Sequence, residues 1–418
     1  MRIIKKMALA LASVGATLVL SGAVYAAPTG LKQIKDTTNG IAVDWEDSTN
    51  VNGYFVVLSD IAEEPDLSNI ENLNNNSHVI KYGVAETSDC SITSLASGKS
   101  YYMFLYDITS AGGLGEKYPN AFEVVTKPSD PSFAGNTAIK QTVAKKGSVS
   151  FSWPAVAGAT GYEVYAATNN QDGNAKLFTT VTGTSATIKT KSATYVSVLY
   201  FRKSASGYVA KCEHGNDAYR YSILPTPGKA KQPKMSEYSS RASKASIKMG
   251  AASDCHGYQI EYCKYNGKGK KKFFVSTVDA VLSNLNSRTF YKVRVRKYVT
   301  LAKGKAYGKW SKYTYFCEDQ TFLNAKTSNL SSGGVLKFKV TWKKVKGAKN
   351  YTFYISTNQN SGYKKLSTSK STSMVISSYN GRGLKKHVNY YVRIVANRKV
   401  GKKTYKSPTN DYRLVMFY

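Results

Sequence analysis

The sequence has 418 residues and a formal net charge of +33, from 59 basic and 26 acidic residues. A positive charge of this density attracts polyanions, and it opposes folding because the basic side chains repel one another. The charge is therefore better explained by a binding partner than by the needs of the fold. The five cysteines are an odd number, and the four histidines, at positions 78, 214, 256 and 387, are far apart in the chain. These counts argue against a regular disulfide framework and against a clustered catalytic centre.

The first 26 residues predict a signal peptide. Arg2, Lys5 and Lys6 precede an apolar stretch of 14 residues (7–20), and a small residue, Ala26, stands at the expected cleavage site. This stretch is short for a bilayer span, and an uncleaved amino-terminal anchor is the alternative. We therefore expect an exported protein, secreted or extracellular, with association to the cell envelope as one option and no transmembrane span after cleavage.

A pattern of alternating strands then repeats four times. In three copies a tryptophan precedes a tyrosine by nine residues, and in the other copy a methionine replaces the tryptophan. Apolar residues alternate with polar ones on both sides of this spacing, which predicts two successive half-buried strands whose aromatic residues share a core. The four pairs are Trp45/Tyr54, Trp153/Tyr162, Met249/Tyr258 and Trp342/Tyr351.

A second signature follows in each repeat. A leucine precedes a tyrosine by six residues in three copies, and the spacing predicts the tyrosine corner of β-sandwiches, in which a buried ring turns its hydroxyl to nearby backbone. In the second repeat, Thr194 stands six residues after Ile188, so we expect an altered corner there. The three regular pairs are Leu95/Tyr101, Leu285/Tyr291 and Leu384/Tyr390.

With these signatures, the chain resembles tandem fibronectin type III domains. Segments such as Val156 to Tyr165 and Gly304 to Ser311 are similar to repeats in secreted proteins of Gram-positive anaerobic bacteria. The resemblance implies an all-β chain of four Ig-like sandwiches in an extended rod, preceded by the signal peptide. It says little about function, because this fold is a general scaffold for binding and spacing.

Repeat length and proline clusters predict the domain boundaries. Prolines gather between Lys127 and Pro131 and between Pro225 and Pro227, whereas the third boundary, near Glu318 to Gln320, has none. Each domain is large enough for a separate core without disulfides. The predicted regions are the signal peptide at 1–26, domain 1 at 27–128, domain 2 at 129–226, domain 3 at 227–320 and domain 4 at 321–418. The last strand of domain 4 is expected at 412–418.

No residue pattern predicts catalysis. Asp44 and Glu46 flank Trp45 on the solvent side of a strand, which favours a solvated edge over an acid/base pair. Cys255, His256 and Cys263 lack the spacing of a metal site, and the cysteines are expected to be buried thiols. Phosphate-binding glycine loops, nucleophile elbows and zinc-protease motifs are missing from the sequence. We therefore expect no enzyme activity, no cofactor and no metal.

The charge is distributed unevenly among the repeats. By residue counts, domain 1 has a net charge of −8, domain 2 of +5, domain 3 of +14 and domain 4 of +19. Basic clusters in domains 3 and 4 fall in predicted loops and hairpins and are candidates for polyanion binding. These residues are Lys268, Lys270, Lys271, Lys272, Lys343, Lys344, Lys346, Lys385, Lys386, Lys402 and Lys403.

Aromatic residues alternate with lysines late in domain 3. Tyr307, Trp310 and Tyr313 lie among Lys305, Lys309 and Lys312, an arrangement typical of cross-strand pairs that stabilise a sheet. The alternatives are stacking on sugars and cation–π contacts.

Two functions follow from these patterns. The first is a non-enzymatic secreted or cell-surface binding or structural protein, whose basic half associates with an anionic envelope polymer, a host glycan or another extracellular protein. The alternative is an accessory or targeting subunit that acts with a separate wall- or polysaccharide-degrading enzyme. A dedicated nucleic-acid target ranks lower, and a basic surface without a specific ligand is the simplest alternative.

Overall fold

The computed structural model describes residues 26–49, 51–130, 133, 138–170, 174–212, 220–239, 243–317, 326–408 and 412–418. The predicted signal peptide (apart from Ala26), the third domain boundary and His214 lie outside these described residues. The fold has two compact units. The first contains the described residues of Met1–Val143 and Ser148–Ile223, and the second those of Ala144–Gly147 and Leu224–Tyr418.

Each domain consists of two antiparallel sheets that enclose a core. A small sheet contains the first, second and fifth strands of the domain, and a large sheet contains the fourth, third, sixth and seventh in that order, if a small extra hairpin in domain 4 is left out of the numbering. One further strand near the end of each domain pairs with the sixth. This topology is that of Ig-like sandwiches of the fibronectin type III kind, so the predicted all-β tandem fold is confirmed. The extended rod stays a prediction.

The first two domains contain sixteen described strands and one short helix. In domain 1 they are β1 (Thr29–Thr37), β2 (Gly40–Glu46), β3 (Val51–Ser59), α1 (Ile70–Asn75), β4 (Val79–Ala85), β5 (Asp89–Thr93), β6 (Ser100–Thr109), β7 (Leu114–Lys117) and β8 (Phe122–Val125). In domain 2 they are β9 (Lys140–Lys145), β10 (Ser148–Ser152), β11 (Gly161–Ala167), β12 (Lys176–Val181), β13 (Ser185–Lys189), β14 (Thr194–Lys203), β15 (Val209–Lys211) and β16 (Tyr221–Ile223).

The last two domains repeat the same order, and domain 4 adds a two-residue hairpin. In domain 3 the strands are β17 (Lys234–Ser239), β18 (Lys244–Lys248), β19 (Gly257–Lys264), β20 (Lys271–Val275), β21 (Asp279–Leu282), β22 (Phe290–Thr300), β23 (Lys305–Tyr307) and β24 (Thr314–Cys317). In domain 4 they are β25 (Lys326–Asn329), β26 (Phe338–Thr341), β27 (Asn350–Ser356), β28 (Lys364–Ser369), β29 (Ser373–Ile376), β30 (Ser378–Tyr379), β31 (Arg382–Gly383), β32 (Tyr390–Val400), β33 (Lys403–Lys406) and β34 (Arg413–Val415).

The repeated tryptophan and tyrosine meet in the core, as predicted. Their ring centroids are 5.1 Å apart for Trp45 and Tyr54, and the rings meet edge to face. The same pairs in domains 2 and 4 are 5.5 and 5.3 Å apart. In domain 3, Met249 and Tyr258 are buried in one core cluster. The spacing of nine residues therefore joins the two sheets, because the tryptophan lies on or just after the second strand and the tyrosine on the third.

The tyrosine corners are also confirmed. The hydroxyl of Tyr101 accepts the backbone N–H of Ala96 at 2.9 Å, and the hydroxyl of Tyr390 accepts that of Lys385 at 2.9 Å. The corresponding bond to Tyr291 is 2.7 Å long. In domain 2 the hydroxyl of Thr194 donates to Thr190 Oγ1 at 2.9 Å instead, so this corner is altered as expected.

Two expectations need correction in domain 4. Its core is not separate, because Phe290 and Cys317 of domain 3 belong to the same cluster of buried residues. Backbone bonds explain the contact, since the N–H of Phe290 donates to the carbonyl of Lys346 at 2.9 Å. The final strand is also shorter than the expected 412–418. It covers only Arg413–Val415, after which Phe417 packs 6.0 Å from Phe338 in the core.

Domain 1 has an additional hydrophobic layer. Residues 60–78 form an insertion between β3 and β4 that contains helix α1, and Leu73 of this helix packs against Phe55 and Phe104. These side chains lie on the outer face of the large sheet. The outer face of this sheet is therefore covered, which explains the almost unbroken apolar run in β3.

Candidate polyanion-binding surface

All eleven candidate lysines are exposed. Lys268 and Lys270 lie in the turn between β19 and β20, whereas Lys271 and Lys272 belong to β20 itself. The remaining seven lie in domain 4, in three places: the loops after β26 and before β32, and the β32–β33 hairpin. The eleven lysines therefore occupy one place in domain 3 and three places in domain 4.

The lysines of domain 4 have almost no acidic residue in their own domain. Residues 326–408 contain no aspartate or glutamate, and the single acidic residue of domain 4, Asp411, lies outside the described residues. Cationic side chains in this stretch cannot be neutralised by carboxylate side chains of the same stretch. The positive field of domain 4 is therefore available to an external anion.

In domain 3, by contrast, part of the charge is organised around one buried carboxylate. Glu261 of β19 is only 1% exposed, and it accepts hydrogen bonds from Arg294 Nε at 2.8 Å and from the Tyr313 hydroxyl at 3.1 Å. Lys272 Nζ lies 3.5 Å from its other oxygen. Burial favours the neutral acid, but the bonds from Tyr313 and Arg294 outweigh it and hold the pKa of Glu261 below its usual value. Burial also raises the pKa of Tyr313 to about 12, so its hydroxyl remains a donor at neutral pH.

Above this carboxylate, cations and aromatic rings alternate along β22. Arg294 lies 4.9 Å from the ring centroid of Tyr313 and 4.5 Å from that of Trp310. Arg296 lies 4.6 Å from Trp310 and 3.7 Å from Tyr307. Lys292 completes the series, 4.8 Å from Tyr313. We call these six residues the domain 3 ladder: Lys292, Tyr313, Arg294, Trp310, Arg296 and Tyr307.

Strand register explains why the ladder forms. Residues 291, 293 and 295 of β22 point into the core and are buried, so Lys292, Arg294 and Arg296 share the outer face. In the antiparallel pairing of β19 with β22, Glu261 lies opposite Arg294, and Gln259 lies opposite Arg296. Gln259 also accepts a hydrogen bond from Arg296 Nε at 2.7 Å. Tyr307, at the end of β23, and Trp310 and Tyr313, in the loop that follows, place their rings against these cations.

The aromatic surface continues beyond the ladder. Phe274 of β20 stacks against Tyr307 with a centroid distance of 6.4 Å, and its side chain is 44% exposed. Lys305 Nζ lies 5.1 Å from the Phe274 ring and 5.3 Å from the Tyr298 ring. A cation and a solvent-accessible aromatic ring are therefore adjacent on the same face.

The sequence pattern predicts the aromatic half of this surface, whereas the cations of β22 are not among the predicted site residues. Their signal was present, because basic residues alternate with the apolar residues that follow Tyr291. Of the alternatives for the aromatic residues, cation–π contacts are observed at Tyr307, Trp310 and Tyr313. Stacking on sugars stays a prediction.

The residues considered for catalysis do not assemble. Asp44 forms an ion pair with Lys32 at 2.9 Å, and the described histidines lie in three different domains. Cys90, Cys212, Cys255 and Cys263 carry free thiols. Cys90 and Cys263 are buried as expected, whereas Cys212 and Cys255 are only half-buried, so the expectation is wrong for these two. Within the described residues, no three aspartate, glutamate, cysteine or histidine side chains come close enough to hold a metal. In the same part of the chain, no helix has the length and apolar character needed to cross a bilayer.

No protein-family model matches the sequence, and no curated protein matches it. Solved structures match parts of the chain at low sequence identity. One contains the FN1–FN3 domains of chicken CNTN1 and has 15% sequence identity with this chain. The match covers 71% of this chain and 100% of that chain, with a TM-score of 0.30. Another is described as a myokine structure, which is 17% identical, with 22% of this chain and 99% of that chain covered and a TM-score of 0.19.

Proposed function

We propose that the protein is a non-enzymatic binding protein, secreted or held at the cell surface, whose residues 227–418 associate with anionic envelope polymers or host glycans. One observation carries the proposal: domain 4 has a net charge of +19, and its residues 326–408 contain no acidic residue at all. Such a field costs folding stability by self-repulsion, and a polyanion would relieve this cost.

The fold and the amino terminus support the other parts of the proposal. Sandwiches of this kind present loops and sheet faces for binding, and fold alone does not determine a ligand. The signal-like segment at 1–26 favours export. The acidic domain 1, with a net charge of −8, would be repelled by the same polyanion, so binding through domains 3 and 4 orients the chain on its target.

A pair of charge-matched variants tests the proposal on the full chain. In the carboxyl-terminal variant, seven lysines become glutamine: Lys268, Lys270, Lys271, Lys272, Lys343, Lys344 and Lys346. In the amino-terminal variant, seven exposed lysines of domains 1 and 2 become glutamine: Lys81, Lys99, Lys140, Lys146, Lys176, Lys189 and Lys191.

Cosedimentation with isolated Gram-positive cell walls and retention on an immobilised glycosaminoglycan are the readouts. The carboxyl-terminal variant should be released at much lower salt than the parent, and the amino-terminal variant should behave like the parent. Equal retention of all three proteins would refute the proposal. Turnover of peptidoglycan, mucin glycans or casein that a single polar substitution abolishes would refute its non-enzymatic part.

A further inference from the structure

We propose that the outer face of the large sheet in domain 3 is a binding platform for an anionic polysaccharide, an inference that rests on the proposed function and assigns it a specific site. The platform comprises Lys272 and Phe274 of β20, Lys292, Arg294 and Arg296 of β22, and Lys305 of β23. All six side chains lie on the face that points away from the core.

The charge of the platform favours an anionic ligand. The platform has five cations, and one carboxylate, Glu261, lies beneath them. Both oxygens of Glu261 already have partners, Arg294 and Tyr313 at one and Lys272 at the other. Because Glu261 is only 1% exposed, it offers little negative charge to solvent. The face therefore presents a surplus of positive charge to an anionic ligand.

The cations are held in position before any ligand arrives. Arg294 and Arg296 each lie between two aromatic rings, and their Nε atoms are fixed by Glu261 and Gln259. These side chains therefore lose little further conformational entropy when a ligand binds them. Alternate residues on a strand are about 6.6 Å apart, so the cations of β22 form a line that suits a linear ligand with repeated acidic groups.

The exposed ring favours a sugar polymer over a bare polyphosphate. Phe274 is 44% exposed and has Lys305 Nζ 5.1 Å from its centroid. An aromatic face packs against the C–H groups of a pyranose ring, while the neighbouring ammonium group pairs with a carboxylate or sulfate on that sugar. A polyphosphate chain has no apolar face and would leave this ring unused.

The test uses the full chain and three substitutions on each sheet of domain 3. The platform variant combines Lys272→Gln, Phe274→Ala and Lys305→Gln. The matched control combines Lys244→Gln, Lys248→Gln and Val281→Ala, which remove two exposed lysines and an apolar side chain, 53% exposed, from the small sheet. Circular dichroism and thermal melting establish that both variants are folded. Affinity is measured for heparin, polygalacturonate, linear polyphosphate and neutral dextran at one ionic strength.

We expect the platform variant to bind heparin or polygalacturonate about tenfold more weakly than the parent, and the control variant to bind within about twofold of it. Heparin and polygalacturonate distinguish sulfate from carboxylate as the preferred acidic group. Dextran should not bind.

Equal losses of affinity in the platform variant and the control variant would overturn the platform. A second contradicting result would be that the parent binds polyphosphate more tightly than either glycan and that a single Phe274→Ala variant keeps the parent's affinity. If the parent binds polyanions and the platform variant is unchanged, only the platform is wrong. If the parent binds none of these polymers, the proposed function fails as well.

Discussion

Arg398 donates a hydrogen bond from Nη1 to the carbonyl oxygen of Gly347 at 2.7 Å, and Arg202 makes the same bond to Gly158 at 2.9 Å. Each arginine lies eight residues after the corner position of its domain, and each glycine lies five residues after the repeated tryptophan. Domain 3 has Val299 at the arginine position. The same joint is therefore built in domains 2 and 4.

Both glycines lie against the preceding domain of their unit. A Cβ at Gly158 would be 2.2 Å from the carbonyl oxygen of Gly98, and a Cβ at Gly347 would be 2.7 Å from the ring of Tyr265. Tyr265 also lies 4.8 Å from the guanidinium of Arg398, which links the arginine and the glycine to one aromatic surface. The joint requires glycine because the neighbouring domain occupies the space of any side chain.

Gly347→Ala should therefore destabilise the second unit. Gly347 has φ +88°, so alanine pays about 1 kcal/mol for the left-handed backbone and more for displacing Tyr265. Gly381→Ala is the matched control, since its φ is +75° but nothing lies within 4 Å of the added Cβ. Urea denaturation should give a lower midpoint for Gly347→Ala than for Gly381→Ala. Equal midpoints would mean that the domains do not pack as closely as described.

Trp342→Ala should affect domain 3 as well as domain 4. Loss of a buried tryptophan costs about 3–5 kcal/mol, and the cluster that contains Trp342 extends to Phe290. Hydrogen exchange should show faster exchange in domain 4 and around Phe290 at the start of β22. In Trp153→Ala, the matched change in the first unit, exchange around Phe290 should be unchanged. An unchanged exchange rate around Phe290 in Trp342→Ala would show that domains 3 and 4 have separate cores.

The tyrosine corner of domain 4 should contribute measurable stability through its hydroxyl alone. Tyr390→Phe removes the acceptor of the Lys385 N–H and leaves the ring in place, at an expected cost of about 1–2 kcal/mol. Tyr195→Phe serves as the control, because Tyr195 is displaced by one residue from the corner position and is half-buried. Chemical denaturation should show a lower free energy of unfolding for Tyr390→Phe than for Tyr195→Phe. A cost for Tyr195→Phe as large as that for Tyr390→Phe would contradict the assignment of the corner.

Much of the fold could be predicted from short-range patterns in the sequence. Trp45 and Tyr54 are fixed in their relation by strand alternation and one loop, and Leu95 and Tyr101 by one turn, so spacing was enough. The hairpin lysines were placed correctly for the same reason. Residues close together in the sequence determine these strand, turn and hairpin positions.

The remaining features depend on contacts between distant segments. Helix α1 was missed because its six residues carry no long apolar period and are stabilised by packing on the outer face of a sheet. The contribution of Phe290 to the core of domain 4 depends on a contact with the loop at Lys346. Only half of the domain 3 ladder could be predicted, because Arg294 meets Glu261 and Trp310 only after β19, β22 and the loop before β24 come together.

The network around Glu261 should make the second unit sensitive to acid. Because the pKa of Glu261 in the folded protein lies below its ordinary value, its contribution to stability is present at neutral pH and is lost as pH falls through the folded pKa. Glu261→Gln should cost about 2 kcal/mol at pH 7. This difference from the parent should shrink below about pH 4.

Thermal melting at pH 7 and pH 3 measures the effect. Glu237→Gln, an exposed change in the same domain, is the control and should leave the melting temperature close to that of the parent at both values. A difference between Glu261→Gln and the parent that stays constant with pH would show that Glu261 does not act through its charge.

The most direct test of polyanion binding by residues 227–418 measures how affinity for heparin changes with salt concentration. The three proteins compared are the parent, the carboxyl-terminal variant and the amino-terminal variant, each as the full chain. The Debye length shrinks from about 10 Å at 0.1 M salt to about 3 Å at 1 M, so an electrostatic contact must weaken steeply across this range. We predict that the parent and the amino-terminal variant bind at 0.1 M and are released by 1 M, and that the carboxyl-terminal variant binds weakly even at 0.1 M. Salt-independent binding, or equal weakening in both variants, would contradict a binding surface in residues 227–418.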